Sequence, residues 1–110
     1  MTRDPTVFLK HIRLCLDRID DYVREGREGF LTDPKTQDAV IRNLEIIGQA
    51  VRDYDANALV SAAPSVPWHR IAALRNVLAH QYLGVDLNLV WNIVQFELPR
   101  LREAISRLPS

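Results

Sequence analysis

Residues 75–82, Arg-Asn-Val-Leu-Ala-His-Gln-Tyr, place an arginine, an amide, a histidine and a phenol within about two helical turns. Arginine offers a fixed cationic fork that matches phosphate, and histidine exchanges protons near neutral pH. Arg75 and His80 therefore read as the working pair of a site that cleaves a phosphodiester without metal, with Asn76 and Tyr82 as accessory phosphate contacts. His80 would donate a proton to the leaving 5′ oxygen, and Arg75 would stabilise charge building on the phosphate oxygens. An adjacent ribose 2′-OH as the attacking group would leave a cyclic phosphate. No carboxylate or histidine cluster has metal-ligand spacing, and no cofactor motif is present.

The setting of this segment is a gap in the acidic residues. The chain balances 14 acidic against 14 basic residues, yet no Asp or Glu stands between Asp55 and Asp86. The full charges in the gap are Arg70 and Arg75, beside His69 and His80. Carboxylates close to a phosphate ligand would repel it, so the gap suits an anion. The competing reading is structural: Arg75 pairs with a carboxylate of another helix, and His80 is a hydrogen-bonded helix end.

The elements that must hold this segment are helical. Phe8, Ile12, Cys15, Ile19 and Tyr22 recur at helical steps in a first helix over about 6–25, with Leu9, Leu16 and Val23 broadening the stripe. Cys15 reads as packing, and His11 has no partner pattern. Gly26 and Gly29 break this helix. Thr32 or Asp33 caps a second helix that begins at Pro34 and buries Val40, Leu44, Ile47, Val51 and Tyr54. Its polar stripe, Arg42, Glu45, Gln49 and Arg52, is either solvated or lines a cleft, and Gly48 suggests close approach of another backbone. Residues 56–66 read as a loop. Pro67 and Trp68 start a short third helix ending around His80 to Tyr82, with Trp68 in the core and His69 on the surface. Asp86 caps a fourth helix carrying Val90, Val94, Leu101, Ile105 and Leu108, with Trp91 packed, and Pro99 should bend it about one turn upstream. The expectation is one all-α domain over 1–110, an up-and-down antiparallel four-helix bundle.

Composition narrows the partners. Zero net charge argues against non-specific coating of nucleic acid, so any RNA contact is local. The single cysteine excludes an internal disulfide, no apolar run reaches the ~20 residues of a membrane span, and the N-terminus has no signal-peptide layout. A soluble cytoplasmic protein is expected. On one ideal helix Arg75 lies about 100° from Asn76, so Arg75 and His80 would converge only with help from the helix end or from a two-fold dimer.

Three blocks of the chain, AVIRNLEIIGQAV at 39–51, VPWHRIAALRNVLAHQY at 66–82 and DLNLVWNIVQFELPRLREAI at 86–105, resemble the HepT-type toxins of the HEPN superfamily. The resemblance implies a helical homodimer whose two sites face each other, a metal-independent ribonuclease acting on RNA, and a nucleotidyltransferase antitoxin as partner. It maps the Arg-x4-His-x-Tyr signature onto Arg75, His80 and Tyr82 and the polar residue after the arginine onto Asn76. It also implies that Tyr82 receives AMP from the antitoxin. A non-catalytic docking subunit of a nucleotidyltransferase complex is the alternative. Two positions depart from the pattern: Ala73 where glycine is common, and Gln49 where glutamate is usual.

Overall fold

The computed structural model describes residues 5–79 and 84–108. Helix α1 (Pro5–Tyr22) buries Leu9, Ile12, Cys15, Leu16 and Ile19, a stripe at helical spacing. The stripe is rotated from the expected one: Phe8 is only partly buried and Tyr22 is exposed. The cause is that α1 packs on two neighbours. One is α3; the other is α7, whose Arg102 reaches Asp17 at 3.0 Å and Asp20 at 2.7 Å. Burial keeps the Cys15 thiol pKa above its usual value, so the thiol stays protonated and packs as an apolar group.

Gly26, with φ +80°, turns the chain in a conformation that other residues rarely adopt. The expected break at Gly26 is present, but Gly29 lies inside a short helix, α2 (Gly26–Thr32). That helix seats Phe30 in the core, its ring centroid 5.7 Å from that of Trp91. Helix α3 (Pro34–Asp53) starts as the sequence predicts: Asp33 accepts a hydrogen bond from the Lys35 amide and Pro34 occupies the first turn. Val40, Leu44, Ile47, Val51 and the following Tyr54 are all buried.

The expected loop at 56–66 is a correction. It contains α4 (Ala56–Ala62), capped by Asp55, which accepts from the Asn57 and Ala58 amides. Alanine-rich sequence favours helix, and the buried Leu59 pins the short segment to the core. The Trp68 indole then donates to the Ala63 carbonyl at 3.0 Å, tying this connection to the start of α5 (Trp68–Ala79). The expected end of that helix, around His80 to Tyr82, lies outside the described residues.

Asp86 caps α6 (Leu87–Asn92) as expected, and a π-helical turn (Ile93–Glu97) leads into α7 (Leu98–Ser106). Pro99 has no amide hydrogen and its ring crowds the preceding turn. The distortion falls one turn upstream, where the Leu98 amide bonds to the Ile93 carbonyl across a widened turn. The result is an all-α bundle in which α3 lies between α1 and α5, around one apolar core. No strand occurs, and no helix is long and apolar enough to cross a membrane, among the described residues.

Candidate functional site

Helix α5 presents Arg75 where it crosses α3. The crossing is set by Gly48: a β-carbon there would lie 2.8 Å from the Ile71 carbonyl oxygen and 2.9 Å from the Arg75 amide nitrogen. Real β-carbons do not approach backbone so closely, so the two helices meet at a distance only glycine permits. The close approach expected at Gly48 is present, and it positions Arg75.

The Arg75 side chain is exposed, and its Nη1 donates to Asn76 Oδ1 at 3.0 Å. Among the described residues it forms no ion pair with a carboxylate, contrary to the structural reading of this residue. Arg70 behaves differently, with its Nη2 3.9 Å from Glu97 of the π turn. Arg70 thus has a carboxylate within ion-pair distance, whereas Arg75 has none among the described residues. His80 and Tyr82 lie outside the described residues.

Arg75 lines a groove of about 470 Å³ between α1 and α3. The polar stripe of α3 turns into it: Arg42, Glu45 and Gln49 line the groove with Asp53, while Arg52 stays outside. The opposite wall comes from α1, through His11, Phe8 and Val7. Glu45 stands 3.6 Å from Arg42 Nη1, and the Gln49 amide donates to both Asp53 carboxylate oxygens at 3.0 and 3.1 Å. A glutamate at position 49 would instead repel Asp53 one turn away. Neutral Gln49 therefore fixes the Asp53 carboxylate. The neighbourhood of Arg75 is not free of acids in space, because α3 supplies two that the linear gap conceals. Among the described residues no three His, Cys, Asp or Glu side chains converge as they would around a metal ion.

The sequence assigned no role to His11. Its neighbours in the chain carry no signal, and only the packing of α1 on α3 brings it into the groove with Arg75. Trp68, His69 and Trp91 stand where expected: Trp68 buried, His69 exposed and Trp91 packed on Phe30.

Residues 12–108 match the model of the family described as Ribonuclease HepT-like, which covers every helix except the first turns of α1. The chain belongs to this HEPN-type family. It is 38% identical over 109 residues to a protein of Thermococcus cleftensis named "Probable ribonuclease HepT", covering 98% of both chains. It is 35% identical over 109 residues to a Methanocaldococcus jannaschii protein named "Gamma-glutamylcyclotransferase and putative RNase", covering 98% of this chain and 49% of that one. The chain thus spans about half the length of the second relative and nearly all of the first. No solved structure matches the chain. Of the groove residues, Arg42, Glu45, Gln49 and Asp53 lie within the stretch matched to the HepT-like family, whereas His11 immediately precedes it.

Proposed function

We propose that the protein is a metal-independent endoribonuclease, the toxin of a toxin–antitoxin pair, silenced when a nucleotidyltransferase antitoxin transfers AMP to Tyr82. The observation that carries this reading is Arg75. It is exposed, lacks a carboxylate partner among the described residues, lines a groove, and begins the Arg-x4-His-x-Tyr segment of a HepT-like chain.

The chemistry is an in-line transfer within the RNA. The ribose 2′ oxygen attacks the neighbouring phosphorus while the bond to the 5′ oxygen breaks, leaving a 2′,3′-cyclic phosphate and a 5′-hydroxyl. Arg75 binds the non-bridging phosphate oxygens, where charge accumulates. His80 as imidazolium gives its proton to the departing 5′ oxygen. In a two-fold dimer the second copy's imidazole, in its neutral form, takes the proton from the 2′-OH. Val77, Leu89 and Phe96 leave apolar surface exposed on α5, α6 and the π turn, which suits the burial a homodimer requires. AMP on Tyr82, two residues after His80, would put a bulky anion where substrate phosphate binds.

The test is RNA cleavage by purified protein in EDTA, comparing the parent with His80→Ala and mapping the product ends. Cleavage by the parent alone, with cyclic phosphate ends, is expected. Equal background from both, or no cleavage by either, would instead favour a docking subunit of a nucleotidyltransferase complex.

A further inference from the structure

The groove beside Arg75 carries more chemistry than binding one phosphate requires. On its α3 wall, Glu45 is four-fifths buried, with 20% of its side chain exposed. Its distance of 3.6 Å from Arg42 is an ion-pair contact too long for a hydrogen bond, and no other partner holds it among the described residues. The neighbouring carboxylate, Asp53, is already engaged by the Gln49 amide. Glu45 is thus a shielded acceptor with no donor at hydrogen-bond distance among the described residues, next to Arg42, a donor 71% exposed. The α1 wall supplies the rings of Phe8 and His11.

Single-stranded RNA is read in this way, with a splayed base lying against aromatic rings while polar side chains meet its Watson–Crick edge. An RNA strand whose phosphate sits on Arg75 would have a neighbouring base within reach of the groove, because Arg75 lines the same cavity. We propose that this groove is a base-recognition subsite for guanine, with Glu45 accepting from N1–H and N2–H2 and Arg42 donating to O6. Guanine alone presents two adjacent donors on that edge, which one carboxylate accepts together. Adenine and cytosine set a ring acceptor beside their amino group, and uracil flanks its single N–H with carbonyl oxygens. Each would face a second carboxylate oxygen with a lone pair. The subsite rests on the ribonuclease reading for its substrate, and its test separates the two.

The test uses the full chain and single-stranded oligonucleotides that differ at one position, carrying guanine, inosine, adenine or uracil. Inosine keeps O6 and N1–H but lacks the N2 amino group. Cleavage next to guanine should exceed that next to inosine by about tenfold or more, the discrimination expected of a bidentate base contact. In Glu45→Gln the guanine-to-inosine ratio should collapse towards one. Equal cleavage at all four bases by the parent, or an unchanged ratio in Glu45→Gln, would overturn the subsite while leaving the ribonuclease reading intact. If the parent cleaves nothing, binding of the same fluorescently labelled oligonucleotides decides. A guanine preference lost in Glu45→Gln supports the subsite without the nuclease, and indifference to the base removes it.

Discussion

A β-carbon on Gly48 would lie 2.9 Å from the amide nitrogen of Arg75, so the glycine of α3 and the arginine of α5 share one backbone contact. The bundle's tightest described glycine crossing and the candidate phosphate-binding residue are therefore the same place. Gly48→Ala should force α5 away from α3, because backbone atoms cannot swing aside as a side chain does. A loss of about 1–3 kcal/mol in urea denaturation is expected, as for other overpacked sites. Cleavage should also fall at temperatures where circular dichroism shows the variant folded. An alanine variant with unchanged stability and activity would mean that the crossing tolerates relaxation.

Arg75 itself separates function from stability. It is exposed and forms no ion pair among the described residues, so Arg75→Ala should alter the unfolding free energy by no more than about 0.5 kcal/mol. Cleavage should nonetheless drop by roughly 100- to 1,000-fold, the usual effect of removing one group that stabilises transition-state charge. Arg75→Lys should recover only part of the loss, since an ammonium is a point charge without the guanidinium fork. Denaturation midpoints and single-turnover cleavage rates of both variants provide the check.

Modification should map to Tyr82. With the cognate nucleotidyltransferase and ATP, mass spectrometry of peptides should find AMP there, and Tyr82→Phe should remain an uninhibited nuclease. Tyr22 is the internal control, since it is exposed, whereas Tyr54 is buried in the core. AMP on Tyr22 would reassign the switch to the end of α1, remote in sequence from the His80 segment.

The cap at Asp33 gives a pH-dependent expectation. A hydrogen bond from the Thr36 hydroxyl, followed by one from the Lys35 amide, lowers the carboxyl pKa below its usual value. A lowered folded-state pKa stabilises the protein above the unfolded value, and the contribution disappears as pH falls through the folded one. Asp33→Ala should therefore melt at a lower temperature than the parent at pH 7, and the gap should narrow below about pH 4. Asp33→Asn should keep the cap bond from the Lys35 amide without this pH dependence, because its single amide oxygen accepts there and does not titrate, while its NH2 replaces the acceptor facing the Thr36 hydroxyl. Thermal melts from pH 7 to pH 2 on the three proteins test the sign.

Helix faces were legible where one long stripe met one core. Val40, Leu44, Ile47 and Val51, and likewise Val90, Val94, Leu101 and Ile105, are buried as their spacing requires. The caps at Asp33 and Asp86 were also local, since each side chain bonds amides two or three residues ahead. Helix α4 escaped the periodic reading because one buried leucine among small residues makes no stripe. Its signal was the Asp55 cap ahead of an alanine-rich run. Phe8 and Tyr22 fell outside the core because a stripe fixes a helix's apolar side, not how far a second neighbour rotates it.

The sequence by itself determined an all-α chain of the HepT-like family, the identity of Arg75 as a candidate anion contact, and Gly48 as a place where another backbone could approach closely. These depend on residue type and short-range spacing, which do not change with how the helices pack. Tertiary structure alone decided that His11 and Glu45 line one groove, that Gln49 holds Asp53 in the groove that Arg75 lines, and that Arg70 lies near Glu97 while Arg75 has no ion pair among the described residues. Apart from the one-turn bond between Gln49 and Asp53, those relationships join residues far apart in the chain. Their separation is set by how α1, α3, α5 and the π turn pack, and no local pattern encodes the rotation of one helix about its axis against another.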